Sequence, residues 1–191
     1  MTFTEYQELA RRTQQANITQ ERKLRYALCG LAAECRELEG VCVTEKVSKE
    51  SNPKDRMLES GDILWLLSEL CDVCGWDLCD MVRNANGVNV LAAYDDDFVG
   101  ACGMALDGAT AICGIFQKEI QGHPIDIEDV KIHIRFILLA IAVVNWETAE
   151  PRLNVLPTFS RVMEANIEKL KTRYPDGFSE EASLNREEYK A

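Results

Sequence analysis

Apolar residues recur at the three- and four-residue spacing of an α-helix along nearly the whole chain. No stretch of convincing length alternates at the period of two that a half-buried β-strand needs. Such a chain must bury the apolar stripes of its helices against one another. With 191 residues, 47% of them hydrophobic, it is long enough to form a real core. We therefore predict an all-α fold and a single globular unit over residues 1–191.

Capping and helix-breaking residues divide these stripes into segments. In the first part of the chain we predict a helix from Phe3, capped by Thr2 or Thr4, a helix from Gln20 to about Val43 with a frayed end at Gly40, and a helix from Pro53 to about Cys74. A short helix over Leu78–Asn86, capped by Asp77, follows. In the second part we predict a helix ended by Gly122, a helix capped by Asp126 and a helix over Val162–Tyr174. A loop is predicted over Gly87–Asp97, in which the acidic run Asp95–Asp97 is interpreted as a solvated turn rather than a metal site.

Two pairs of acids interrupt the apolar stripes. Glu34 and Glu37 lie three residues apart in one predicted helix, as do Glu59 and Asp62 in the next, and this spacing puts both members of a pair on one helix face. A carboxylate that faces a core is costly unless a partner or a cation compensates its charge. We therefore predict that the four acids converge on a divalent cation. Oxygen-only ligands favour Mg²⁺, or Mn²⁺, over zinc.

The alternative is that these acids are surface charges, because acids make up 32 of the 191 residues. The formal net charge of -11 argues against a nucleic-acid polymer or an anionic membrane as partner. An anionic substrate would have to be joined to the acids by the metal. The apolar run from Phe136 to Val144 is too short for a bilayer, which needs about 20 residues, so we predict a buried core helix there.

Eight cysteines are present, two of them in the spacing Cys71-x-x-Cys74 that redox and zinc sites use. No second such pair and no βαβ pattern accompanies it, so we interpret all eight as ordinary thiols, mostly buried. The chain starts without the pattern of a signal peptide, and we expect a cytoplasmic protein.

The second part of the chain repeats the pattern of the first. Residues 27–33 align with 105–111, residues 62–64 with 136–138, and residues 84–86 with 164–166. We therefore predict two pseudo-repeated halves, a metal-binding half at 1–86 and a degenerate half at 98–178, followed by a tail at 179–191. The residues that replace the four acids, in chain order, are Ile112, Ile115, His133 and Phe136. Because these positions are apolar in one copy, we expect them to face inward; the alternative is two unrelated helical hairpins.

The motifs resemble those of a known family. Glu34-x-x-Glu37 followed by Glu59-x-x-Asp62, the continuation Gly61-Asp-Ile-Leu-Trp65, and the closing Arg173-Tyr-Pro-Asp-Gly-Phe178 are similar to the all-α nucleoside triphosphate pyrophosphohydrolases of the MazG type, relatives of the dimeric dUTPases. The resemblance covers Phe3–Asn86 and Val162–Asn185.

The resemblance implies a four-helix-bundle-like fold and a Mg²⁺-dependent hydrolase. It would cleave a nucleoside triphosphate between the α and β phosphates, giving the monophosphate and pyrophosphate in a nucleotide-sanitising role. It implies that Glu34, Glu37, Glu59 and Asp62 are metal ligands. Glu34 and Glu37 are then the predicted catalytic residues, with Glu37 orienting the attacking water.

The last predicted helix carries the positively charged side chains that the two acid pairs do not provide. Lys169 and Arg173 lie one turn apart and are predicted to bind phosphate, while Asn166 is predicted to bind the sugar or base. Trp65 is a candidate platform for base stacking. The alternatives are a solvated basic helix end for the three and a core position for Trp65.

Single-copy relatives pair their four-helix units, whereas this chain carries one intact half and one degenerate half. We therefore predict an intramolecular pseudo-dimer in which the second half completes one site with Asn166, Lys169 and Arg173, and which can pair again as a homodimer. Two other functions stay open: a nucleotide-binding or regulatory module without turnover, and a helical adaptor whose acids are surface charges.

Overall fold

The computed structural model describes residues 1–15, 17–82, 97–146 and 156–184. All regular secondary structure in these residues is helical, which confirms the all-α prediction. The helices are α1 (Phe3–Arg11), α2 (Gln20–Ser48), α3 (Pro53–Cys74), α4 (Leu78–Val82), α5 (Phe98–Ile120), α6 (Ile127–Val144), α7 (Leu156–Arg173) and α8 (Glu180–Leu184).

Two helical hairpins form the body of the fold. α2 packs along α3 and α5 packs along α6, and the two hairpins join through a long contact between α2 and α5. α7 lies against α3, and the short helix α1 contacts α3, α4 and α7. The centre of the core is built from large, fully buried side chains of both hairpins: Leu31, Leu38, Ile63, Leu67, Ile112, Ile134, Ile137 and Leu138.

The predicted caps set the helix starts. Thr2 forms a capping box with Glu5, since Thr2 Oγ1 accepts from Glu5 N at 3.2 Å and Glu5 Oε2 accepts from Thr2 N at 2.8 Å. Asn52 caps α3 with Pro53 in its first turn, and Asp126 caps α6. These starts are therefore determined locally, by side chains that satisfy the unpaired N–H groups of the first turn.

Some predicted boundaries differ from the structure. The helix end expected at about Val43, with fraying from Gly40, is wrong, because α2 continues to Ser48 and ends where Lys49 adopts a left-handed conformation at φ 61°. A glycine inside a helix costs only about 1 kcal/mol, which the packing of so long a helix outweighs. The predicted fourth helix is described only as Leu78–Val82, and residues 83–96 lie outside the described residues. Asp97 caps α5, accepting from Gly100 N at 3.2 Å.

Two glycines allow close approach between helices. A Cβ atom at Gly61 on α3 would lie 2.7 Å from the Cβ of Asn166 on α7, and one at Gly108 on α5 would lie 2.8 Å from the carbonyl oxygen of His133 on α6. Neither distance is possible for a real side chain without displacement of the neighbour. The glycine at Gly61 therefore fixes how closely α7 can lie against the acids of α3.

The residues aligned with the acids do not all face inward. Ile112 is fully buried, and Ile115 and His133 are partly buried, but Phe136 is 41% exposed. The inward-facing prediction is therefore wrong at Phe136, where α6 turns that side chain to the surface. The remaining run to Val144 is buried apart from Leu139, which is partly buried.

All eight cysteines are free thiols in the structure. Cys71 is fully buried and Cys74 is partly buried, and burial raises the pKa of the Cys74 thiol to about 11. α5 is the one helix in the described residues that is long and apolar enough to cross a membrane, by length and composition only. Its buried face packs against α2 and α6.

Candidate functional site

Three of the four predicted acids converge. Glu34 on α2 and Glu59 and Asp62 on α3 each bring a carboxylate oxygen to within 4.8 Å of the other two, and all three side chains are partly buried. The two helices meet along the hairpin contact that forms the first half of the fold. The acids thus interrupt the apolar stripes at the point where the two stripes face each other.

Glu37 departs from the predicted group of four. It is exposed on α2 and does not belong to the cluster of three, although its charge is near enough to raise the pKa of both Glu34 and Glu59. Residues three apart on a helix differ by about 60° around its axis. With Glu34 turned toward α3, Glu37 lies toward the solvent side of the same face.

Burial and mutual repulsion disfavour the ionised form of this cluster. Burial, followed by the charges of Asp62, Glu37 and Glu59, raises the pKa of Glu34 to about 8. Burial and then Asp62 raise the pKa of Glu59 to about 7. Lys169 opposes both shifts without cancelling them. The cluster therefore carries more negative charge than Lys169 compensates.

The chemistry of these donors suits a hard divalent cation. Every ligand atom is a carboxylate oxygen, neither histidine nor cysteine joins the cluster among the described residues, and the excess of negative charge is what a cation would offset. Glu34, Glu59 and Asp62 are the residues that could hold Mg²⁺ or Mn²⁺.

α7 supplies a cation and an amide to Asp62. Lys169 Nζ contacts Asp62 Oδ2, and Asn166 Nδ2 donates to Asp62 Oδ1 at 3.1 Å. Asn166 is fully buried, and its Oδ1 accepts from the hydroxyl of Tyr6 on α1 at 2.8 Å. That hydroxyl also lies 3.3 Å from the carbonyl oxygen of Gly61. Asn166 therefore holds Asp62, and its contact with a sugar or base stays a prediction.

A cavity of about 110 Å³ opens beside the acids. Glu34 and Asp62 line it, together with Trp65 and Arg173, two residues predicted to bind substrate. The rest of the wall is largely aromatic or aliphatic: Ile18, Tyr26, Leu66, Leu170, Tyr174 and Phe178. Charged side chains and an apolar wall are thus adjacent in one concave site.

Trp65 is held in the wall of this cavity. Its Nε1 donates to Thr13 Oγ1 at 3.0 Å, and Thr13 Oγ1 in turn donates to Ala10 O at 2.8 Å. Tyr26 on α2 meets the indole edge-on, with ring centroids 6.0 Å apart. The partly buried indole is therefore oriented by a hydrogen bond and a ring contact, and it is not a fully buried core residue.

Sequence reasoning missed three residues of this region: Tyr6, Tyr26 and Glu69. Glu69 lines the cavity, is 2% exposed, and has one oxygen, Oε2, that is buried without a hydrogen-bond partner in the part of the chain that is described. Burial raises its pKa to about 7. One signal was present, because Glu69 lies seven residues after Asp62 and therefore on the same helix face.

Comparison of the chain with known protein families, with curated proteins and with solved structures found no match in any of the three. The likeness to the MazG-type enzymes thus rests on the motifs in the sequence.

Proposed function

We propose that this protein is a Mg²⁺-dependent nucleoside triphosphate pyrophosphohydrolase that cleaves the bond between the α and β phosphates. One observation carries the proposal: acids from α2 and α3 meet a lysine from α7 at the edge of a cavity with an aromatic wall. A triphosphate needs cationic compensation, and a base needs an apolar surface. Both are adjacent here.

Glu34, Glu59 and Asp62 would hold the cation. When bound, Mg²⁺, or Mn²⁺ in its place, offsets the charge of the phosphates and makes the phosphorus more open to attack by water. Asn166 is a positioning residue, since its amide fixes the orientation of Asp62. In this proposal the three partly buried acids hold the cation, and the fully buried Asn166 positions one of them.

The exposed and cationic residues bind and orient the reactants. Lys169 exchanges part of its contact with Asp62 for the phosphates, and Arg173 binds phosphate from the cavity wall. Glu37, at the solvent side of the cluster, orients the attacking water. Trp65 packs against the base.

The second half of the chain completes the site in this proposal. α7 follows the second hairpin in the chain but packs mainly against α3 of the first. One chain would then act as an intramolecular pseudo-dimer, and such units can pair again as a homodimer.

A nucleotide-binding module without turnover is the second candidate function. Two observations favour it: Lys169 already contacts Asp62, and Glu37 stands outside the cluster of three acids. It would bind a nucleotide with Mg²⁺ and release no pyrophosphate.

The test is pyrophosphate release from a panel of ribo- and deoxyribonucleoside triphosphates, with and without Mg²⁺. Glu59→Gln removes one predicted ligand at constant shape, and Glu50→Gln, at an exposed position before α3, is the matched control. Release that requires Mg²⁺, is lost in Glu59→Gln and is kept in Glu50→Gln supports the enzyme. Nucleotide binding without pyrophosphate release supports the nucleotide-binding module. If the protein neither binds nucleotides nor releases pyrophosphate, both candidate functions are rejected.

A further inference from the structure

The proposed site contains a buried carboxylate with no role in metal binding. Glu69 stands on the face of α3 that also carries Asp62, Trp65 and Leu66, and all four line the cavity. Seven residues along a helix correspond to about 10 Å, so Glu69 lies two turns beyond the acid cluster. Along this face, the proposed metal ligand Asp62 comes first, the indole of Trp65 second and the carboxylate of Glu69 third.

Among the described residues, no donor bonds the buried oxygen Oε2 of this carboxylate. Lys23 on α2 acts on Glu69 only through its charge and makes no ion pair with it in the described part of the chain, and Asp72 repels it. Arg11, the last residue of α1, is paired with Asp72 at 2.5 Å. A buried acceptor left unpaired is costly, so its position calls for a partner that enters the cavity.

We infer that Glu69 recognises the nucleobase, accepting a hydrogen bond from an exocyclic amino group and selecting cytosine and adenine over their keto counterparts, uracil and hypoxanthine. The inference rests on the proposed function, in which the triphosphate lies at the acid cluster and the base against Trp65. The far end of the base then reaches the part of the cavity wall that Glu69 lines.

The physical reason is the mismatch that a keto group creates. An amino group gives the carboxylate a donor, whereas a carbonyl at the same place faces it with a second acceptor. A site discriminates strongly against a substrate analogue that leaves a buried polar group of the site without a hydrogen-bond partner. The choice between the two members of each pair therefore depends on one side chain.

The test compares dCTP with dUTP and dATP with dITP at about pH 8.5, where Glu69 is ionised and can only accept. For each pair we measure kcat/KM for pyrophosphate release and, independently, the dissociation constant with Mg²⁺ by calorimetry. The wild type is expected to favour the amino member at least tenfold in both quantities. In Glu69→Gln the preference falls to near one or reverses, because the amide can donate to a keto oxygen, and Glu168→Gln, at an exposed position on α7, keeps the wild-type ratio.

The two proposals fail in different ways. Equal constants for the amino and keto members, or an unchanged ratio in Glu69→Gln, overturn the role of Glu69 while leaving the hydrolase intact. No pyrophosphate release, with amino members still bound more tightly, overturns the hydrolase and supports the role of Glu69. Equal wild-type constants alone would reject the inference, so it stays falsifiable even if the variant does not fold.

Discussion

Lys169 Nζ contacts Asp62 Oδ2 across 107 residues of chain, and this contact joins the last long helix to the helix that carries the second acid pair. Both side chains are about one-fifth exposed, so the contact is partly shielded from water. A pair of this kind is worth more than a surface ion pair, and breaking it leaves a buried charge uncompensated. It therefore ties the geometry of the acids to the position of α7.

The first prediction concerns Lys169. Lys169→Met should raise KM for the triphosphate about ten- to hundredfold, since hydrogen bonds to charged groups are worth about 1.5–3 kcal/mol. Lys171→Met removes the same charge from an exposed position on the same helix and should leave KM unchanged. Steady-state kinetics measures both. An unchanged KM in Lys169→Met would refute a role for Lys169 in phosphate binding.

The second prediction concerns the close approach of α3 and α7. Gly61→Ala should lower the free energy of unfolding by about 1–3 kcal/mol, because the new methyl group would overlap Asn166. It should also reduce activity by shifting Asn166 and Lys169 away from Asp62. Gly40→Ala, where the space beside the glycine is open, should instead stabilise the protein by about 0.5–1 kcal/mol. Denaturant unfolding of both variants checks the signs, and a neutral Gly61→Ala would contradict the tight contact.

The third prediction concerns Tyr6. Tyr6→Phe deletes the hydroxyl that donates to Asn166 Oδ1 and leaves that buried oxygen unpaired. We expect a loss of about 1–3 kcal/mol in the free energy of unfolding, together with weaker metal binding because Asn166 no longer holds Asp62 firmly. Calorimetric titration with Mn²⁺ measures the second effect. Unfolding and Mn²⁺ affinity both equal to wild type would show that Tyr6 does not support the site.

The fourth prediction is a pH dependence of stability. Burial raises the pKa of Glu69 from 4.5 to about 7, so between these values the folded state binds more protons than the unfolded state and stability falls as the pH rises. The destabilisation is absent below about pH 4.5 and complete above about pH 7, where it reaches up to about 3 kcal/mol.

Glu69→Gln removes this dependence, while every other carboxylate stays common to both proteins. The variant and the wild type should therefore unfold at similar denaturant concentrations at pH 4, and the variant should be the more stable at pH 8 in the absence of divalent metal. A stability difference that stays constant with pH would contradict the buried, ionisable state of Glu69.

Much of the fold could be predicted from local signals. Thr2, Asn52 and Asp126 cap their helices because a short polar side chain before an apolar stripe satisfies the first N–H groups, whatever lies further away. The end of α2 could not be predicted in this way. Gly40 weakens a helix only slightly, and the contacts with α3 and α5 that sustain α2 are long-range.

The site was predictable to the extent that it follows helical spacing. Glu34, Glu59 and Asp62 converge as the spacing indicated, but which member of the first pair turns outward depends on the rotation of α2 against α3, which the sequence does not specify. The burial of Asn166 likewise depends on how closely α7 packs at Gly61. Glu69 was missed because its spacing of seven residues from Asp62 indicates a shared helix face but does not show that its side chain is covered.

The most direct test of the proposed chemistry is to identify the products. The triphosphate that the panel shows to be preferred is incubated with the protein and Mg²⁺, and the products are separated by anion exchange with Glu59→Gln in parallel. We expect equal amounts of nucleoside monophosphate and pyrophosphate from the wild type and neither from the variant. Nucleoside diphosphate with inorganic phosphate, or no product at all, would contradict cleavage between the α and β phosphates.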